Sequence, residues 1–246
     1  MLKKLVYLFL IFPFWIMAQS KSLLENQLQY ERVQSAYNEK LSFIQKDFET
    51  KKLQWPPSNI LFRAFKNEAQ LELWVKQGEN YILYKTYNVC YSSGKLGPKR
   101  KEGDLQVPEG FYFIDRFNPQ SNFYLSLGIN YPNEADKILS DKAKPGSDIF
   151  IHGACVSVGC LPMTDDKINE IYIIALLAKQ GNGQKIPVHI YPFKFSLLNK
   201  FLYYSKYSEQ VVFWKNLEEE YLNFEKNKKL RKINIDKKGK YIFENL

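Results

Sequence analysis

Among 246 residues this chain has two histidines and three cysteines. One histidine and two of the cysteines share a single stretch, Asp148-Ile-Phe-Ile-His-Gly-Ala-Cys-Val-Ser-Val-Gly-Cys-Leu-Pro-Met-Thr-Asp-Asp166. A free cysteine near neutral pH is a few per cent thiolate, and the thiolate is the nucleophile. A neighbouring imidazole raises that fraction and later protonates the leaving group. His152 precedes Cys160 by eight residues, a distance over which a strand and a turn fold back on themselves. Backbone N–H groups around Gly159 and Cys160 would then hold an oxyanion. The kit is one for acyl transfer. The bland readings stay open beside it: a structural histidine at a strand end, and a cysteine pair serving as a disulfide. A zinc site built from His152, Cys155 and Cys160 with Cys90 or His189 is disfavoured, because His-x2-Cys-x4-Cys matches no common structural arrangement. No metal and no cofactor is expected.

The stretch needs rigid elements on both sides. Asp148 to His152 reads as a short apolar strand. Thr164 reads as the N-cap of a helix with Asp165 and Asp166 in its first turn, ended by Gln180-Gly-Asn-Gly183. Upstream, Ile60–Phe65, Gln70–Lys76, Tyr81–Tyr91, Phe111–Phe117 and Asn122–Asn130 read as strands, and Ile186–Phe193 as a closing one. An aromatic content of 16 % favours sheet surfaces and supports these assignments. A polar loop with three glycines and four cations, Ser92 to Asp104, lies between them. Ser22–Leu53 predicts one long helix whose stripe is Tyr30, Val33, Tyr37, Leu41, Ile44 and Phe48, ended by Trp55-Pro56-Pro57. Phe195–Asn223 reads as helical, with Phe213, Trp214, Leu217, Tyr221 and Phe224 at helix spacing, followed by a basic tail from Lys226 to Lys240. The expected layout is 1–20, 21–54, 55–194 and 195–246: leader, N-terminal helix, catalytic domain, and helical, basic extension.

Residues 1–20 read as an export signal. Lys3 and Lys4 are followed by the apolar run Leu5–Met17 and a small-residue site at Ala18-Gln19-Ser20. An uncleaved anchor is the alternative. The predicted compartment is the periplasm or cell envelope. The formal charge of +9 falls to about +7 without Lys3 and Lys4. That suits an anionic envelope polymer as partner, or simply a soluble surface. In an oxidising compartment an odd cysteine count is most economically one disulfide and one free thiol. The expectation is Cys90 paired with Cys155 and Cys160 free, against three buried thiols.

His152-Gly153 followed by Ser157-Val158-Gly159-Cys160 resembles the signature of the L,D-transpeptidase catalytic domain family (YkuD type). The form Phe-Ile-His-Gly-x-Cys-Val-Ser-x-Gly-Cys-x-x-Met-Thr-Asp is similar to its YafK-like branch. Tyr91-Ser-Ser-Gly, Leu96-Gly-Pro-Lys99, Glu102-Gly-Asp104, Pro108-Glu-Gly-Phe-Tyr112, Tyr131-Pro-Asn133 and Phe213-Trp214 agree in order, from about Trp55 to Leu246. The resemblance implies an α+β fold, mainly β with helices: an L,D-transpeptidase-type β-sandwich with flanking N- and C-terminal helices. It implies peptidoglycan stem peptides as substrate, Cys160 as nucleophile, His152 as base, and the Gly153 carbonyl as the group orienting the imidazole. Ser157 and Gly159 would shape the loop and the oxyanion site. One departure matters: many members carry Ile/Val-Arg after the cysteine, and Leu161-Pro162 stand here. Lys99 and Arg100, with Tyr131, are the expected replacement contacts to substrate, so their loss should weaken binding more than folding.

The same Cys and His serve a transpeptidase, if an amine resolves the acyl-enzyme, or a hydrolase that removes cross-links or a wall-attached protein, if water does. A non-catalytic wall-binding module is the alternative of another class. Nucleic acid is not an expected partner.

Overall fold

The computed structural model describes residues 22–244. The expected leader, 1–20, lies outside them. Among the described residues no helix is long and apolar enough to cross a membrane.

One strand joins the two halves of the main sheet. β4 (Gly110–Ser121) pairs antiparallel through Gly110–Phe113 with β8 (Pro187–Tyr191). From Ile114 onward it pairs instead with β5 (Tyr124–Ile129), after a register shift between Ile114 and Arg116. An extra residue of this kind bends a strand and increases its twist. On the β8 side lie β1 (Ile60–Phe65), β2 (Gln70–Gln77) and β3 (Asn80–Asn88). On the β5 side lie β6 (Phe150–His152) and β7 (Leu161–Pro162). The sheet order is β3-β2-β1-β8-β4-β5-β6-β7. β1–β8 and β6–β7 are parallel pairs, the others antiparallel. The fold is therefore α+β, as expected, with the two halves of the sandwich continuous through β4.

Both halves close on one helix, α4 (Asp165–Asn182), capped by Thr164 and ended by Gly183 in the left-handed conformation. Glu170 accepts hydrogen bonds from Tyr84 and Tyr87 and pairs with Lys85 at 2.8 Å, all on β3. Tyr172 meets Phe117 of β4 edge-on at 5.4 Å. α4 is thus apolar nearly all round, which is what a helix enclosed by other elements shows.

The predicted N-terminal helix divides in two. α1 (Leu23–Gln27) is closed by a capping box between Ser22 and Glu25, and α2 (Glu31–Thr50) starts afresh after Tyr30, whose backbone is extended. No glycine or proline marks the break. The reason is tertiary: Gln27 Oε1 accepts from the buried Tyr172 hydroxyl at 2.6 Å, and Leu24 N–H donates to Gln180 Oε1. One straight helix could not satisfy α4 at both places and bury Val33, Ile44 and Phe48 as well.

The C-terminal segment covers the other face of the sheet. α5 (Leu197–Lys206) and α6 (Val211–Asn227) are followed by a hairpin, β9 (Lys232–Ile235) and β10 (Tyr241–Glu244), where the sequence suggested only a basic tail. Lys232, Asn234 and Asp236 alternate with Ile233 and Ile235, which pack inward, so a short alternation amid a charged stretch hid the strand period. Arg63, fully buried on β1, pairs with Glu225 at 2.7 Å and lies 4.6 Å from the Phe224 ring centre. A short helix, α3 (Glu134–Leu139), also went unread; its box is Asn133 with Asp136.

Candidate active site

β6 and β7 are paired in parallel, Ile151 with Leu161 and His152 with Pro162. The loop between them, Gly153 to Cys160, therefore folds back on itself. Cys160 falls beside Phe150, two residues before the His152–Pro162 pair, a strand rise of roughly 7 Å. Three backbone bonds fix the frame. Met163 N–H donates to the His152 carbonyl at 2.6 Å, Gly153 N–H to Leu125 O at 3.1 Å, and Cys90 N–H to Pro162 O at 3.0 Å.

His152 is buried, and its Nδ1 lies 2.6 Å from the Gly153 carbonyl. A carbonyl only accepts, so Nδ1 carries the proton and Nε2 keeps the lone pair. Phe123, from the β4–β5 turn, packs against the imidazole with ring centres 4.7 Å apart and planes tilted by 34°. Burial lowers the His152 pKa from its ordinary value, partly opposed by the Gly153 bond. The ring is thus neutral at rest, with its Nδ1 side fixed by the Gly153 carbonyl. Gly153 itself has no room for a side chain: a Cβ would come within 2.5 Å of Asp165 Oδ1 and 3.1 Å of the Phe123 carbonyl. Asp165 also accepts from Ala154 N–H at 2.8 Å, so the first residue of α4 holds the start of the loop.

Cys160 is the free cysteine of the described residues; Cys90 and Cys155 are bonded, with Cα atoms 5.6 Å apart. The thiol lies 3.8 Å from the Asp148 carbonyl and lines a narrow cleft with Lys66, Ala69, Tyr91, Ser92 and Val107. Burial pushes its pKa up, and a backbone bond from Phe150 pulls against that. No hydrogen bond joins it to His152 in this resting geometry. His152, at the end of β6, and Cys160 flank one loop, with a neutral thiol and a neutral imidazole. Catalytic hydrogen bonds of this kind often tighten only when substrate binds.

The oxyanion donors differ from expectation. Ser157 Oγ accepts from Gly159 N–H at 3.1 Å and from Cys160 N–H at 2.8 Å, donates to the Cys160 carbonyl at 2.9 Å, and meets Ser93 Oγ at 3.3 Å. Ser157 shapes the loop as a cap, and the two amides are engaged by it rather than open. Gly159 takes φ +124°, a left-handed value that suits glycine, with Gln106 O where a Cβ would need 3.0 Å.

Two of the predicted substrate contacts are also corrected. Lys99 is buried, pairs with Asp104 at 2.7 Å and donates to Lys101 O at 3.0 Å. Tyr131 is buried and donates to Pro145 O at 2.8 Å. Both brace the loops around the cleft, because glycine-rich loops have little core of their own and use buried polar groups instead. Arg100 lies over the Phe213 ring at 5.2 Å and 4.0 Å from Asp136, turned toward the C-terminal helix. Lys99 acts on the Cys160 thiol by its charge, which favours the thiolate, and Lys66 lines the same cleft; a more exposed cation that the sequence did not single out is Arg116. It is 45 % exposed, pairs with Asp148 at 3.1 Å and sits 4.9 Å over the Phe150 ring. The bulge at Ile114/Arg116 turns it there, and a bulge leaves no clear sequence signal.

The wall of the cleft is tied to the C-terminal segment. Lys66, fully desolvated, donates to Glu109 at 2.9 Å, to Gly97 O and to Val107 O; Trp214 Nε1 donates to the other Glu109 oxygen at 2.7 Å. Among the described residues no cluster of three or more metal-ligating side chains forms.

Comparison with known proteins identifies the family by sequence. The YkuD family, the L,D-transpeptidase catalytic domain, matches residues 62–190. The Escherichia coli (strain K12) protein named "Putative L,D-transpeptidase YafK" is 36 % identical over 193 residues, 78 % of this chain and 76 % of that one. Among solved structures, the helical cell shape determining protein Pgp2 of Campylobacter jejuni (K307A mutant) aligns with TM-score 0.46 and 19 % identity, covering 73 % of this chain and 72 % of that one. Bd1075 of Bdellovibrio bacteriovorus aligns with TM-score 0.42 and 23 % identity, over 64 % and 57 %. By its sequence this chain belongs to the L,D-transpeptidase catalytic domain family.

Proposed function

We propose that the chain is an exported peptidoglycan-modifying cysteine enzyme that works through a Cys160 thioacyl intermediate. The observation that carries this is the His152 Nδ1–Gly153 carbonyl contact of 2.6 Å, which leaves Nε2 as the base on the loop that bears the free thiol. On binding, Nε2 takes the Cys160 proton as sulfur attacks a stem-peptide carbonyl. Collapse of the tetrahedral intermediate breaks the C–N bond, and the imidazolium returns that proton to the departing amine. An incoming amine, deprotonated by the same nitrogen, then displaces sulfur and forms the new peptide bond. Water in the same place gives hydrolysis.

Arg116 is the cation we assign to a substrate carboxylate in place of the arginine missing after Cys160. It is half exposed, and its partner Asp148 contributes the carbonyl next to the thiol. The test is incubation with purified peptidoglycan and mass analysis of the muropeptides, with Cys160→Ala as control. New cross-links or exchanged terminal residues mean transfer, and lost cross-links or freed tails mean hydrolysis. A wild-type digest identical to the control refutes both.

A further inference from the structure

A cleft of about 700 Å³ opens on the other face of the sheet, where the C-terminal hairpin stands off from β4 and β8. Its floor is aromatic. Phe111 meets His189 and Tyr241 edge-on, each at 4.7 Å, and Phe113 continues the row. Ile233 and Ile235 of β9 form the facing wall. Phe113 pairs with Pro187 at one end of the β4–β8 ladder, and Gly110 with Ile190 at the end nearer the Cys160 cleft. The two sites are thus separate, at opposite ends of one strand pair.

Its rim is cationic. Lys185 Nζ lies 4.0 Å over the Phe113 ring, and no acidic side chain pairs with it among the described residues. Lys137 stands across from it, with Glu134 at 3.2 Å as a fully surface partner. Arg231 spends Nε on Glu220 at 2.7 Å and leaves Nη2 buried without a hydrogen-bond partner. Burial pushes His189 down to about 3, so it is neutral and adds no charge of its own to the floor. An apolar floor under the unpaired Lys185, with the exposed Lys137–Glu134 pair and Arg231 beside it, suits a ligand with flat C–H faces and anionic groups.

We propose that this cleft is a second binding site for an anionic glycopeptide, with sugar or alkyl faces on Phe111 and Phe113 and carboxylates at Lys137, Lys185 and Arg231. The proposal rests on peptidoglycan as substrate: one polymer strand would be held here while a stem peptide reaches Cys160. Phosphate would meet the same cations, so the test separates the two anions.

Retention is measured on purified sacculi freed of phosphate polymers, for the wild type and for the Lys137→Glu/Lys185→Glu double variant. Turnover of a soluble cross-linked muropeptide is measured alongside. Both lysines are exposed, so the variant keeps its fold; a matching melting curve checks this. The expected result is a loss of about tenfold or more in sacculus affinity, with soluble turnover unchanged. Phe113→Ser should weaken retention in the same direction. Equal retention of wild type and double variant overturns the cleft. So does wild-type retention that needs phosphate polymer left on the sacculi. Variant-sensitive retention with no change in any muropeptide supports the cleft and refutes the acyl-transfer reading instead.

Discussion

The bond between Cys90 and Cys155 closes a 65-residue separation, from the end of β3 to the catalytic loop. In the chain-entropy account, a loop of that length restricts the unfolded chain by about 4 kcal/mol. A domain of this size shifts its melting temperature by about 2–4 °C per kcal/mol, so a Cys90→Ser/Cys155→Ser variant should melt roughly 8–16 °C lower. The double change avoids freeing a thiol beside Cys160. Melting curves of both proteins by circular dichroism, without reductant, give the shift directly. Reductant should lower the wild type toward the variant and leave the variant where it is. Activity should suffer too. Ala154 and Cys155 sit at φ +60° and +27°, conformations that side chains rarely adopt unless held, and the bond holds them together with Asp165 on Ala154 N–H and Met163 O on Cys155 N–H. A shift under about 3 °C, or a wild type insensitive to reductant, would refute the entropic reasoning.

The lowered His152 pKa predicts that the acid limb of the kcat/KM profile lies below pH 6.5. A depressed value keeps the imidazole neutral further into acid, so an acid limb at or above that pH contradicts the assignment. Lys99→Ala breaks a buried ion pair and should destabilise the fold by about 2–4 kcal/mol in urea titration. Arg116→Ala should instead raise KM several-fold with little change in Tm; the reverse pattern would return the substrate role to the Lys99 loop. Gly153→Ala forces a Cβ onto Asp165 and the Phe123 backbone, and should cost more activity than stability because it displaces the carbonyl that orients His152. Fully active Gly153→Ala would show that carbonyl to be dispensable.

The candidate site was the legible part of the sequence. His152, Gly153, Ser157, Gly159 and Cys160 lie within nine consecutive residues, so local pattern and family likeness together singled them out as candidates. Strand identities were legible too, since β1 and β2 are short apolar runs bounded by turn residues. What escaped was set by contacts between distant residues. The break before Glu31 depends on Tyr172 and Gln180. The buried state of Lys99 depends on Asp104 and on loop geometry. Arg116 reaches Asp148 and Phe150 through a bulge, and β9 hid a four-residue alternation inside a charged stretch. A lysine in a glycine-rich loop looks the same in sequence whether it meets solvent, substrate or a buried carboxylate.

The Glu109 carboxylate, shared between Lys66 and Trp214, sets where this chain can be cut. The family match stops at residue 190, a natural place to trim an expression clone. Trimming there would remove Trp214 from Glu109 and Glu225 from Arg63, leaving one buried anion and one buried cation short of a partner. It would also remove Tyr191 and bare Phe65 and Phe111 to water. The wall of the Cys160 cleft would loosen with them, because Lys66 also carries Gly97 and Val107. The smallest piece that keeps Cys160 in place therefore includes α6 and β10, well past the segment that defines the family.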